Sequence, residues 1–179
     1  MVLVNKLDAA ERLIVSGIAM IERGEDPFAI HVVAASALNM LRELIQQGGD
    51  DYGASVLRQG LFHAAAALLK GSPITLPTSD EIDALINEVA EGIEKGDITK
   101  PDDLTVTLTA DELHKLLAYI TRPFNFLKHA QRDPLATLDE SDVDPAGTVI
   151  HAITAYSMLA PDKPLPEQTA SFLTEHNLV

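Results

Sequence analysis

A chain of 179 residues, 46% apolar and 22% charged, is long enough for one compact domain with a real core, and its composition excludes disorder and collagen-like repeats. Thirteen basic residues against 27 acidic ones leave a net charge of −14, which disfavours any surface meant to hold a nucleic-acid backbone by bulk electrostatics. Cysteine is absent, so disulfides, thiolate nucleophiles and cysteine-type zinc sites are excluded. Lys6, Asp8, Glu11 and Arg12 interrupt the first apolar residues too early for a secretory signal, and no apolar run nears the roughly 18 residues of a membrane span. The expectation is a cytoplasmic chain of one helical domain over residues 1–179, without a membrane partner.

Leu3, Leu7, Ala10, Ile14, Ile18 and Ile21 recur at helical steps, predicting a first helix from about Leu3 to Arg23 that Gly24 stops. Asp26 then caps a second helix, with Pro27 at the position where a missing N–H is harmless, running to Gln47 before Gly48-Gly49. Its stretch from Pro27 to Leu41 carries no charge and reads as a buried helix. Asp51 to Lys70 fits a third helix, whose run of four alanines predicts close helix approach. Two prolines make Gly71 to Pro77 a linker, and Thr78-Ser79-Asp80-Glu81 opens a fourth helix striped by Ile82, Leu85, Ile86, Val89 and Ile93 up to Gly96.

Asp102 to Thr109 alternates like a strand but is too short to support a sheet; at most it pairs with Ile74 to Leu76 as a two-stranded ribbon. Thr109-Ala110-Asp111-Glu112 begins a fifth helix that lasts until Pro123, and Phe124 to Gln131 predicts a further turn or two. Asp144-Pro145 starts a helix whose interior, Val149 to Leu159, is apolar on nearly every side, and Glu167 to His176 forms a last amphipathic segment. The fold class is therefore all-α, a bundle of six or seven helices, with the first three packed around Val149 to Leu159. Leu38, Leu41, Ile45, Leu117, Ile120, Ile150 and Ile153 are the expected core.

The segment from Thr121 to Pro134 concentrates Arg122, Asn125, Lys128, His129, Arg132 and Asp133 in a very acidic protein, interleaved with Phe124 and Phe126. If it is helical, Asn125, His129 and Arg132 share a face. Arg122 and Arg132 suit bidentate binding of a phosphate or carboxylate, Lys128 adds a further cation, and His129 suits proton transfer near neutral pH. The competing reading is a helix junction that packs its apolar side and solvates its charges.

The pattern Arg122-Pro123-x-Asn125-Phe126-x-Lys128-His129-Ala130-x-Arg132-Asp133-Pro134, with Ala29-Ile30-His31 and Leu41-Arg42-Glu43-Leu44 on the second helix, resembles a family of small bacterial all-α proteins of similar length to which no activity attaches. The same segment is more distantly similar to the HEPN superfamily, whose helical members include metal-independent ribonucleases with an Arg-x4–6-His motif. Arg122 and His129 have that spacing, though Pro123 stands where a polar residue usually follows the arginine. The likeness implies catalytic roles for His129 as acid or base, Arg122 as stabiliser of phosphorane charge and Asn125 as phosphate orienter, with no metal or other cofactor.

His31 and Arg42 lie on the largely apolar stripe of Ala35, Leu38 and Ile45 and need partners there. They either meet the Arg122–Asp133 segment as a pocket for a small anion or satisfy a neighbouring helix terminus. His151, beside Thr154 and Met158, reads as a core histidine, and no histidine pair has metal-binding spacing. Asp139, Glu140, Asp142 and Asp144 miss the calcium-loop spacing, because Ala146 and Ile153 fall where oxygen ligands belong. The leading functional expectation is an interaction or regulatory module that associates with itself or another protein. The rivals are a HEPN-like enzyme acting on RNA and an anion pocket lined by His31, Arg42, Arg122 and His129.

Overall fold

Asn5, rather than Leu3, opens the first helix. Its side chain accepts a hydrogen bond from the Asp8 amide at 2.8 Å, so α1 runs Lys6–Glu22 and Leu3 stays 84% exposed in front of it. The computed structural model describes residues 3–49, 51–72, 80–105, 121–129, 131 and 133–176. After α1 come α2 (Pro27–Gln47), α3 (Tyr52–Leu69), α4 (Asp80–Lys95), α5 (residues 121–128), α6 (Pro145–Leu159) and α7 (Glu167–Glu175). Seven helices and no strand among the described residues make an all-α bundle, as the periodicity predicts. The expected ribbon falls largely on residues 74–76 and 106–109, outside the described residues; Pro101–Asp103 is a single 3-10 turn.

The chain divides into two compact units, Met1–Tyr52 with His114–Val179, and Gly53–Leu113. In the first, α2 packs most extensively against α6, and α1 lies against both. Leu38, Leu41 and Ile45 of α2 are buried there with Ala10, Ile14 and Ile18 of α1 and Val149, Ala152 and Ile153 of α6. Gly17 is the point of closest approach: a Cβ built on it would lie 3.3 Å from Val149 Cγ2 and 3.9 Å from Ala34 Cβ, so three helices converge where one has no side chain. Of the other expected core residues, Ile150 is only half-buried and Leu117 and Ile120 lie outside the described residues. The α2 helix is long and apolar enough to cross a membrane by composition, with a mean hydropathy of 1.4, yet Ile30, Ala34, Leu38 and Leu41 are spent on this core.

The third helix belongs, apart from Tyr52, to the second unit, where Leu61, Ala64 and Ala65 pack with Ile86, Val89 and Ala90 of α4 and with Leu104. Two of its run of four alanines, Ala64 and Ala65, are buried in this cluster. Leu85, expected on the apolar stripe of α4, is 44% exposed. Gly92 fits because the Ile98 side chain folds directly over it.

A second difference concerns α5. The helix expected from Thr109 falls almost wholly outside the described residues; Pro123 is buried in the first turn of the described stretch, which ends at Lys128 rather than Gln131. The His129 amide still donates to the Asn125 carbonyl at 3.0 Å, although His129 itself is no longer helical.

Truncating Leu41 to alanine should cost about 2–5 kcal/mol in urea unfolding, as expected of a fully buried leucine. The same change at Leu135, which is almost wholly exposed, should stay within about 0.5 kcal/mol. Equal costs at the two positions would contradict the core assignment.

Candidate functional site

The Arg122–Pro134 segment lies between two supports. On one side Arg122 Nη1 reaches Asp142 Oδ2 at 3.4 Å, an exposed pair that ties α5 to the 3-10 turn Glu140–Asp142. On the other, the Asn125 amide donates to Thr121 Oγ1 at 3.2 Å, and Lys128 Nζ lies 5.6 Å from the centre of the Phe124 ring. Beyond the helix end, Asn125, Phe126, His129, Asp133 and Ala136 line a shallow open hollow of about 160 Å³. Phe126 is 36% exposed, and Leu135, next to Ala136 in the chain, is 88% exposed.

The hollow therefore brings Asn125 and His129 together. Lys128 is exposed and Arg122 is held by Asp142; neither lines it among the described residues. Arg132 lies outside the described residues. The acidic run ahead of α6 acts as local caps: Asp139 accepts from the Ser141 amide and hydroxyl, and Asp144 accepts from the Gly147 amide at 2.8 Å. Among the described residues no three histidines or carboxylates converge as a metal-holding group.

His31 sits elsewhere, in the seam between α2 and α6, only 1% exposed. Its Nδ1 is 3.1 Å from Thr148 Oγ1, and Thr148 Oγ1 in turn donates to the Asp144 carbonyl at 2.7 Å. A hydroxyl has one proton, and it is committed to that carbonyl, so His31 Nδ1 is the donor. The ring is then the Nδ1–H tautomer with a bare Nε2, which is buried without a partner among the described residues. Burial holds the His31 pKa below the ordinary imidazole value, offset in part by Asp144. His151 on α6 is lowered for the same reason, again against the field of Asp144. Arg42 is engaged near the other end of α2, where its guanidinium lies 5.5 Å from the Tyr52 ring centre and donates to Asn39 Oδ1 at 3.3 Å. No described contact joins His31 or Arg42 to Arg122 or His129.

Periodicity does not reveal a third polar cluster. The Tyr156 hydroxyl, at the heart of the apolar α6, donates to Glu11 of α1, and Lys163 Nζ reaches the same carboxylate at 2.6 Å. Lys163 and Tyr156 hold the Glu11 pKa down, while burial and Glu11 push the Tyr156 phenol up. This clasp joins α1, α6 and the loop before α7. The sequence signal was a lone tyrosine hydroxyl in an apolar run, which needs a partner it cannot name. Leu135 was equally legible as a large apolar residue stranded in a polar loop after Pro134.

No family model matches this chain, and no curated protein or solved structure matches it either.

The lowered pKa of His31 fixes a sign for the pH dependence. The unfolded imidazole takes up a proton near pH 6.5 and the folded one only below that, so the contribution to stability is complete above about pH 6.5 and falls as the pH drops through it. In His31→Asn the amide can replace Nδ1 as donor to Thr148 but cannot titrate. Its unfolding free energy should fall less steeply between about pH 6.5 and 5 than that of the wild type; identical slopes would show that His31 titrates normally.

Proposed function

We propose that this chain is a cytoplasmic helical interaction module and that residues 121–136 are the surface through which it docks a protein partner. The observation that carries the reading is the partly exposed Phe126 side chain in the lining of a hollow it shares with Asn125, His129 and Asp133, with Leu135 exposed next to Ala136 in the chain. An apolar centre with a polar rim is the anatomy of a binding hot spot, and burying Leu135 against a partner would contribute about 2 kcal/mol.

Two features favour docking over phosphodiester chemistry. Asp133 puts a carboxylate into the hollow that holds His129, and Arg122, the cation a HEPN-like mechanism needs beside that histidine, reaches Asp142. The small-anion reading requires His31 and Arg42 to converge with Arg122 and His129, whereas the first two are engaged with Thr148 and with Asn39 and Tyr52.

The test replaces Phe126 with a photo-cross-linking amino acid in cells, with the same replacement at Leu3, also exposed, as control. A covalent protein adduct formed from position 126 and not from position 3 is the expected result. Equal yields at both, or none at either, would contradict the proposal. Cleavage of RNA by the purified chain, lost in His129→Ala with the melting temperature unchanged, would replace it by the ribonuclease reading.

A further inference from the structure

His31 is held in the seam between α2 and α6 by one hydrogen bond, and the seam offers no acceptor for a second ring proton among the described residues. Its ring is 1% exposed, Nδ1 is spent on the Thr148 hydroxyl at 3.1 Å, and Nε2 is buried without a partner. A proton taken up in place would put a charge and an unpaired N–H into apolar surroundings. The ring therefore stays neutral until the pH falls below the ordinary imidazole range, and must then find an acceptor.

The charged and titratable groups around it come from three helices. On α1 the buried positions Ala10, Ile14, Gly17 and Ile18 carry no charge. On α2 itself, Asp26 caps its own helix through the Phe28 and Ala29 amides, and Arg42 is engaged with Asn39 and Tyr52. On α6, burial lowers His151 as it lowers His31, and the field of Asp144 acts against burial at both rings. Asp144 is also close, because Thr148 Oγ1 links His31 Nδ1 to its carbonyl.

The Asp144 carboxylate already has a task. Its Oδ1 accepts from the Gly147 amide at 2.8 Å and so caps α6. Glycine is needed at position 147 for this, since a Cβ there would collide with the carboxylate. A carboxylate bonds an imidazolium more strongly than a neutral amide, so a charged His31 displaces the cap.

We propose that acid exchanges the partner of Asp144: when His31 takes up its second proton, the Asp144 carboxylate leaves the Gly147 amide and pairs with the imidazolium, and the first turn of α6 opens. Asp142, which holds Arg122, lies two residues ahead, so the opened turn begins beside the tie of α5. The device does not depend on what docks on residues 121–136.

Proton and nitrogen-15 NMR of the full chain, titrated from about pH 7.5 to 4, tests it. The Gly147 amide proton should move upfield as it loses its carboxylate acceptor, with the same midpoint as the His31 ring nitrogens, while the Tyr156 amide farther along α6 holds still. In Asp144→Asn the new side chain still caps but carries no charge, so the Gly147 amide should not respond and His31 should titrate at a still lower pH. His31→Asn should silence the response too. A Gly147 amide that stays put while the His31 ring titrates overturns the exchange and leaves the seam itself intact. One that moves only where ordinary carboxylates protonate, about pH 4, whatever stands at position 31, overturns it as well. So does unfolding of the wild type before the ring takes up its proton.

Discussion

The hydroxyl of Thr148 has one proton, and giving it to the Asp144 carbonyl decides how α2 and α6 meet. The oxygen is left to accept from His31 Nδ1, so the most extensive helix contact of the first unit is pinned by a buried imidazole that must stay neutral. Asp144 also caps α6 through the Gly147 amide, which fixes where the helix begins. Two residues earlier Asp142 holds Arg122 at the start of the described α5. The core thus reaches the surface in a few steps: seam, cap, ion pair, and then the short helix that carries Asn125 and Phe126 to the hollow.

These steps differ in strength. The seam is buried, and breaking the His31–Thr148 hydrogen bond would leave a second ring nitrogen unpaired beside the bare Nε2, at a cost of about 1–3 kcal/mol. The Arg122–Asp142 pair is exposed on both sides and contributes little to stability. Its part is orientation. The clasp of Tyr156 and Lys163 on Glu11 secures the opposite end of α6 against α1, and together the two ends leave α6 little freedom to shift along its neighbours.

The helices were legible because caps and apolar spacing agree locally. Asp26, Pro27 and Gly48 bound α2, and Asp144 and Pro145 start α6, at the residues expected. Where local signals conflict, the reading slipped: Leu3 continued the apolar step, but Asn5 could cap and Leu3 could not. The last turn expected up to Gln131 also fell short, because the described α5 ends at Lys128. The polar segment itself was visible as a local excess of cations and aromatics. Which of its residues meet was not, because Arg122 finds Asp142 and His31 finds Thr148 across separations of 20 and 117 residues that periodicity cannot bridge. Leu135 gained its meaning only from the hollow beside Ala136.

The central claim is that α2 and α6 meet through His31 and Thr148, and the most direct measurement is nitrogen-15 NMR of the His31 imidazole across the pH range. A ring protonated at Nδ1 that takes up its second proton below the ordinary imidazole value is the predicted result. A ring protonated at Nε2, or one that titrates at the ordinary value, would contradict the account.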